Sequence, residues 1–186
     1  MCEAAIATLN APLPPVDLAI HYDFERRQLG GVWFAVDGVA AERIGAASRL
    51  GVEDASAVPR LIAMLGQDRT TPAAAQLAGT DLREATTTES QRVENLGRFT
   101  EADLACQLAA QQALVRIGAA AIPLLMSALS ADSERRRLGA LKSLAQMGPA
   151  AESAMPTLRH VEKRDRSPLV RQKTSEAIEK IKPNRW

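Results

Sequence analysis

An eight-residue pattern recurs four times in this chain, and it limits the folds that the chain can adopt. In each copy, a small residue lies three positions after the first residue and a large aliphatic residue lies seven positions after it. The copies are Arg43–Leu50, Gln107–Leu114, Arg137–Leu144 and Arg171–Ile178. This spacing puts the small and the aliphatic residue on one face of a helix, where the small residue lets a second helix approach closely. Each copy therefore predicts an amphipathic helix packed against a neighbour.

A second recurring segment carries a proline and follows the first. Its copies are Ser56–Leu61, Ala120–Leu125 and Ser153–Leu158. Because a proline in the first turn of a helix removes no hydrogen bond, each proline predicts a helix start. The interval from Leu114 to Leu144 is similar in length to the interval from Leu144 to Ile178. A period of this length, with two helices in each unit, is typical of an α-solenoid.

Residues with known preferences for helix ends support these boundaries. Ser167 precedes a proline and predicts an N-cap, whereas Gly148 precedes a proline and predicts a helix end. Thr100–Asp103 resembles a capping box, which predicts that the helix containing Leu104 begins there. Pro183 is expected to lie just beyond the last helix.

The composition favours helices over sheets. Aromatic residues make up only 3% of the chain, whereas large β-sandwiches and barrels usually need more of them. The longest uncharged run in the apolar part, Ile117–Ala131, has 15 residues, fewer than the roughly 20 that span a bilayer. The N-terminus carries no basic region of a secretory signal. We therefore predict an all-α cytoplasmic protein with no membrane segment.

The first 36 residues do not show the repeat. Residues 1–15 are expected to be a weakly ordered lead-in, and the spacing of apolar residues over 16–24 predicts a short helix that Gly30-Gly31 stops. Residues 32–36 suit either a short strand or the start of a helix; we favour helix or loop because no partner strand is visible. The predicted domains are an N-terminal lead-in with room for a capping helix (1–36), a repeat domain (37–182) and a C-terminal tail (183–186).

One interval departs from the repeat period. The interval from Leu50 to Leu114 is about twice the length of one unit, and the excess is roughly 66–99. This stretch is polar and lacks a clear apolar stripe. It suits either an inserted, partly ordered loop or a degenerate extra repeat that starts near Pro72.

The repeated segments resemble HEAT repeats, specifically the short HEAT-like type that is also found in phycobilisome lyases. The segments that carry the resemblance are Arg43–Leu65, Gln107–Leu129, Arg137–Val161 and Asp165–Ile181. Asp165–Arg171 is similar to the turn and helix start of that family, in which an aspartate precedes a Val-Arg pair. The resemblance implies an armadillo-like fold, a right-handed α-α superhelix of about four helical hairpins.

The same resemblance implies a function in recognition. Proteins of this kind serve as non-catalytic scaffolds or adaptors that bind another protein through the solenoid surface. Two alternatives stay open: a chromophore-handling enzyme or auxiliary like the phycobilin lyases, and a nucleic-acid-binding protein. We expect a protein partner first.

The chain offers no pattern of catalytic, cofactor-binding or metal-ligating residues. His21 and His160 each lack a second histidine or cysteine at ligand spacing, and Cys2 and Cys106 are too few for a disulfide framework. The glycines form no phosphate-binding motif. We therefore predict no catalytic residue, no metal and no cofactor.

Basic residues supply the candidate binding site. From Glu134 to Trp186 there are 13 basic and 6 acidic residues. The candidate partner-binding residues are Arg135, Arg136, Arg137, Arg171 and Lys173. They suit either a ladder of arginines that bind neighbouring turns and join the repeats, or a surface for an acidic protein or a nucleic acid. Nucleic acid is the less favoured partner because Trp186 is the sole aromatic residue of this basic end.

Overall fold

The structure of the protein is a computed structural model that describes residues 2–18, 21–69 and 87–182. It is mostly helical, as predicted, but it also contains a pair of antiparallel strands. The helices within the described residues are α1 (Cys2–Asn10), α2 (Gly38–Ser48), α3 (Val58–Leu65), α4 (Thr87–Ile117), α5 (Ile122–Ala128), α6 (Glu134–Met147), α7 (Met155–Arg164) and α8 (Pro168–Ile181). The strands are β1 (Glu25–Leu29) and β2 (Val32–Val36).

Three consecutive units share one design: a first helix, a short 3-10 helix and a proline-led second helix. The units are α2 with α3, α4 with α5, and α6 with α7, and α8 follows them. The 3-10 helices are Ala55–Ala57, Gly118–Ala121 and Gly148–Ala154. A proline lies in the first turn of α3, α5 and α7, as the sequence predicts.

The repeated positions form the core. All four small residues of the pattern are fully buried, and the aliphatic residues seven positions after the first are at most 5% exposed. These residues are Ala46, Ala110, Ala140, Thr174, Leu50, Leu114, Leu144 and Ile178. The helices that carry them pack in succession, α2 against α4, α4 against α6 and α6 against α8. The pattern therefore correctly predicts which face of each helix is buried.

The first and third units pack closely at a glycine of α6. A Cβ atom on Gly139 of α6 would lie 2.9 Å from Cβ of Leu65 in α3. Real Cβ atoms do not come that close, so any larger residue at position 139 would push the two helices apart. Gly139 therefore sets the distance between α3 and α6.

Most of the predicted helix ends are confirmed. The Ser167 hydroxyl accepts a hydrogen bond from the Val170 amide at 3.3 Å and caps α8. Gly118 and Gly148 end α4 and α6 with φ values of +73° and +58°, which glycine adopts without a steric penalty. Pro183 lies outside the described residues.

The prediction of a capping box at Thr100–Asp103 is wrong, because these residues lie inside α4. Their polar side chains serve other partners. The Thr100 hydroxyl donates to the carbonyl of Leu96 at 2.9 Å, and Glu101 accepts from the Ala35 amide of β2 at 2.8 Å. Asp103 is fully buried against Arg69. A polar cluster that serves tertiary contacts therefore resembles a helix start in the sequence.

The stretch 66–99 is only partly described. Residues 87–99 form the first turns of α4 and end at the buried Phe99, while Gln67 and Arg69 are buried beside α4. The two alternatives for this stretch, an inserted loop or a degenerate repeat, concern mainly residues 70–86, which lie outside the described residues.

The predictions for the first 36 residues are wrong in three places. Residues 2–10 form α1 where a weakly ordered lead-in was expected. Residues 16–18 and 21–24 are not helical. Residues 32–36 form β2, where helix or loop was favoured. Tertiary packing therefore decides the structure of this region.

The two strands form a hairpin closed by two glycines. Gly30 and Gly31 have φ values of +55° and +83°, as the tight two-residue turn of a hairpin requires, and Leu29 pairs with Val32. The partner strand was not visible in the sequence because β1 reads Glu-Arg-Arg-Gln-Leu and lacks an apolar run. The hairpin packs mainly on α4.

Aromatic contacts explain why residues 16–18 and 21–24 do not form the expected helix. The rings of Tyr22 and Phe24 lie edge-on to Phe99 of α4, with centroids 4.8 and 5.2 Å away. The Asn95 amide donates to the carbonyl of Leu18 at 3.1 Å. The segment therefore wraps across α4, and the apolar spacing that suggested a helix instead reflects contacts with Phe99.

One helical stretch in the described residues, Ser90–Ala128, is long and apolar enough to cross a membrane by length and composition. Half of its apolar window is buried inside the protein. Gly118 also breaks the stretch into α4 and α5. Packing of alanines and leucines in the core accounts for its apolar character, so the stretch is weak evidence for a membrane segment.

Candidate functional site: an arginine-lined cleft

A cleft opens between the N-terminal segment, α2, α3 and the start of α6, with a volume of about 330 Å³. Arg43 of α2, Arg60 of α3 and Arg136 of α6 line it. Residues 9–13 form another part of its wall, and Asp68 is the one carboxylate among its described lining residues. The cleft therefore brings three positive charges and one negative charge together. We call it the arginine cleft.

Arg43 is only 6% exposed and connects the arginine cleft to the protein interior. Its guanidinium donates to the Gln67 side-chain oxygen at 3.3 Å and to the backbone carbonyl of Ala11, which holds the N-terminal segment in place. Burial lowers the pKa of Arg43, and the positive charges of Arg69 and Arg60 lower it further. Burial is the main cause of this pKa shift, and the two neighbouring arginines add to it.

Arg136 packs directly against a glycine backbone. A Cβ atom on Gly66 would lie 2.8 Å from Nε of Arg136 and 3.3 Å from its Nη2, so a larger residue at position 66 would displace the guanidinium. The Nε atom is buried and has no hydrogen-bond partner among the described residues. A buried donor of this kind normally has a partner, because leaving it unpaired costs about 1–3 kcal/mol.

A buried ion-pair network stiffens the floor of the arginine cleft. The Arg69 guanidinium donates to both oxygens of Asp37 at 3.0 and 3.1 Å, and its Nε donates to Asp103 at 2.8 Å. Burial alone lowers the pKa of Arg69, but the hydrogen bonds to the two carboxylates outweigh burial and raise the pKa. The network joins the start of α2, the segment after α3 and the middle of α4.

Gln67 links this network to the arginine cleft. Its amide donates to Asp103 at 3.3 Å, while its backbone carbonyl accepts from Gln107 at 3.3 Å and from Arg135 at 3.1 Å. Since its side-chain oxygen also accepts from Arg43, the position of that guanidinium is fixed by residues from several helices. The arginine cleft is therefore built on a rigid support.

The structure divides the predicted partner-binding residues into two groups. Arg136 lines the arginine cleft, and Arg135 supports it through the carbonyl of Gln67. Arg137, Arg171 and Lys173 do not line this cleft. Two of the five candidates therefore meet at one site, and the other three lie elsewhere.

Arg137 and Arg171 bind the same turn between α7 and α8. Arg137 is 3% exposed; its Nε lies 2.9 Å from one Asp165 oxygen, and its Nη2 donates to the other at 3.1 Å. Arg171 donates to the backbone carbonyl of Asp165 at 2.7 Å. These contacts are those of the ladder interpretation, in which arginines at repeated positions join neighbouring turns. Lys173 forms an exposed ion pair with Glu176 at 2.8 Å.

A second depression, of about 290 Å³, lies beside this ladder. It is lined by Arg137, Arg164, Arg166 and His160, and also by Asp132 and Asp165. The two carboxylates compensate two of the three arginines: Asp165 is bound to Arg137, and Asp132 lies 3.6 Å from Arg166. This depression therefore has less capacity for an anion than the arginine cleft.

The histidines and Cys106 do not form a reactive site within the described residues. His21 is exposed and lies 3.4 Å from Asp23, and His160 is exposed on α7. Burial raises the pKa of the Cys106 thiol to about 12, so the thiol stays protonated and unreactive at neutral pH. No group of three potential metal ligands occurs in the ranges that the structure describes.

Sequence reasoning missed Arg43 and Arg60 as site residues. Arg43 is the first residue of the repeat pattern and was interpreted only as part of a helix face. Arg60 follows Pro59 and lies on the exposed side of α3. The available signal was an arginine in each of two successive helices, but the wall supplied by residues 9–13 had no signal in the sequence.

The chain was compared with protein-family models, with curated proteins and with solved structures, and none of the three comparisons gave a match.

Proposed function

We propose that this protein is a non-catalytic scaffold, a HEAT-like solenoid that binds an acidic segment of a partner protein in the arginine cleft. The observation that carries the proposal is the convergence of Arg43, Arg60 and Arg136 on one cleft with a single opposing carboxylate among its described lining residues. Guanidinium groups bind carboxylates and phosphates with paired hydrogen bonds, so such a cleft favours an anionic ligand.

The repeated helix units support the solenoid part of the proposal. Each unit buries the same positions, and the first helices pack in succession. Stacking of this kind creates a continuous core and leaves extended surfaces that are suited to binding. The right-handed superhelix expected from the resemblance remains part of this proposal.

The nucleic-acid alternative has less support. Arg137 and Arg171, two of the five candidate residues for this basic surface, are engaged with the turn at Asp165. A nucleic-acid surface needs several cations free to contact phosphates along a backbone. The chromophore-handling alternative draws no support from Cys106, because its thiol is fully buried.

The test is affinity capture from a nuclease-treated lysate of the native cells with immobilised protein. We expect wild type and Arg159→Glu, a change at an exposed arginine that does not line the cleft, to retain the same discrete protein. Arg60→Glu should lose it, because the substitution reverses one of the three charges at the mouth of the cleft. Equal capture by all three proteins, or recovery only without nuclease, would contradict the proposal.

A further inference from the structure

We propose that the arginine cleft is a phosphate site, which takes a phosphorylated side chain of the partner segment between Arg43 and Arg136. This inference rests on the proposed function and adds the chemical group that the cleft recognises. The donors, the charge balance and the volume of the cleft all favour this group.

Arg43 and Arg136 supply hydrogen-bond donors to the cleft. A guanidinium carries five N–H groups, and the hydrogen bonds to Gln67 and Ala11 occupy two of those on Arg43. The Arg136 side chain makes no hydrogen bond among the described residues; its Nε is buried, so its two Nη groups are the donors that it can offer to a ligand. Both residues line the cleft. A tetrahedral oxyanion offers several acceptor oxygens, so it can bind two guanidinium groups that approach from different helices.

The charge balance distinguishes a phosphate from a carboxylate. Three arginines and Asp68 leave an excess of two positive charges among the described lining residues. A phosphorylated side chain carries about −1.5 to −2 charges at neutral pH, whereas a carboxylate carries one. The phosphate therefore neutralises the cleft almost completely, and a carboxylate leaves about half of the excess.

The pKa of Arg43 agrees with this balance. Burial lowers it first, and the nearby positive charges of Arg69 and Arg60 lower it further. An anion in the cleft would act in the opposite direction, because a nearby negative charge favours the charged form of the guanidinium. Arg43 and Arg60 both line the cleft, so an anion bound there would offset their mutual repulsion.

The space and its rigidity also suit a phosphorylated side chain. The volume of about 330 Å³ is at the lower end of the range of small-ligand sites, about 300–1,000 Å³. Gly66 allows the Arg136 guanidinium to lie against the backbone. Gln67 fixes Arg43 through contacts that reach Asp103. Donors that are held in place before binding lose less entropy when the ligand arrives.

The first experiment uses inorganic phosphate as the probe. Thermal unfolding is followed in sodium phosphate and in sodium chloride of equal ionic strength, so that general screening is the same in both. We expect the melting temperature of the wild-type protein to rise with phosphate concentration, as binding to the native state requires. No rise beyond that in chloride would overturn the inference.

The variants separate geometry from charge. Arg136→Lys keeps the positive charge but removes Nε and the planar guanidinium, and we expect it to weaken phosphate binding by about tenfold or more. Arg159→Lys is the matched control and should bind like wild type. Arg60→Gln is a second variant. Because Arg60 is exposed, this substitution should leave the fold intact while it removes one positive charge from the cleft. Equal phosphate binding by Arg136→Lys, Arg60→Gln and wild type would refute the site.

A peptide comparison tests the source of the phosphate. Fluorescence anisotropy is measured with an acidic peptide that carries one phosphoserine and with the same peptide carrying glutamate instead. We expect tighter binding of the phosphopeptide to wild type, by about tenfold, and loss of that preference in Arg136→Lys. Equal binding of the two peptides would overturn the inference, even if free phosphate binds.

A phosphatase treatment distinguishes this inference from the proposed function. If the captured partner is lost after the lysate is treated with phosphatase, the phosphate site is supported. If the partner survives phosphatase but still requires Arg60, the scaffold function stands and the phosphate site is wrong. If no partner depends on Arg60 at all, the proposed function fails, whatever the phosphate measurements give.

Discussion

Two glycines at the same position of the repeat pattern allow one sharp test of the helix packing. Gly45 in α2 and Gly139 in α6 each lie two positions after the first residue of their copy. A Cβ at Gly45 would meet nothing within 4 Å, whereas a Cβ at Gly139 would lie 2.9 Å from Cβ of Leu65. The same substitution should therefore be more stabilising at position 45 than at position 139.

The magnitudes follow from helix propensity and from crowding. Replacing glycine by alanine inside a helix gains about 1 kcal/mol of intrinsic propensity. We expect Gly45→Ala to show most of this gain. Gly139→Ala has the same gain, but forcing an extra methyl group between packed helices costs roughly 1–3 kcal/mol. The difference between the variants should therefore be roughly 1–3 kcal/mol, because the propensity term cancels.

The assay is urea unfolding followed by circular dichroism, with the free energy of unfolding taken from curves of equal slope. Gly45→Ala should unfold at a higher urea concentration than wild type, and Gly139→Ala at a concentration below that of Gly45→Ala. If both variants are stabilised by the same amount, α3 and α6 are not in contact at Leu65. The packing of the two units described above would then be wrong at that point.

Three further predictions concern the core and the buried charges. Leu144→Ala should cost roughly 2–5 kcal/mol in urea unfolding because Leu144 is fully buried, whereas Leu124→Ala, at a position 43% exposed, should cost much less; similar losses would show that Leu144 is not in the core. Burial raises the pKa of Cys106 from about 9 to about 12, so the unfolded chain releases the thiol proton first and stability should fall as pH rises between these values. Unfolding of Cys106→Ala should lack that part of the pH dependence, and identical slopes would contradict the burial. Arg69→Met should cost about 3–5 kcal/mol because it leaves two buried carboxylates without their cation, and a loss below about 1 kcal/mol would show that the network is solvated.

The repeated helices could be predicted from the sequence because their signals are local. Leu144 and its small neighbour Ala140 lie within two turns of one helix, so their spacing alone identifies the buried face. Pro156 marks the start of α7 because the requirement of proline for a first-turn position depends only on the chain next to it. Such signals do not depend on the rest of the fold.

The structures that escaped prediction depend on distant partners. β1 is charged, and what makes it a strand is the turn at Gly30-Gly31 and the contact with α4. Thr100–Asp103 resembled a helix start because the partners of its polar groups, Ala35 and Arg69, lie far away along the chain. From the sequence alone, such polar groups are expected to bind the nearest backbone. In the structure they bind residues that are distant along the chain.

The candidate site could be predicted only in part for the same reason. The run Arg135–Arg137 was visible as a basic cluster, but successive helical residues point in different directions, about 100° apart. Arg136 therefore lines the cleft, while Arg137 is buried against Asp165. The sequence does not show which of the three turns towards Arg43 and Arg60, because that depends on how α2, α3 and α6 are packed.

The length of α4 has a consequence for the whole N-terminal region. At 31 residues it is about 46 Å long, whereas α2 and α6, its neighbours in the repeat, are about 17 and 21 Å long. A helix of that length extends beyond the part that α2 and α6 can cover. The hairpin and the segment around Tyr22 shield apolar side chains of the excess length, among them Phe99. The described part of the N-terminal region is therefore integral to the folded body, and removing it would uncover a stretch of α4 that neither α2 nor α6 is long enough to cover.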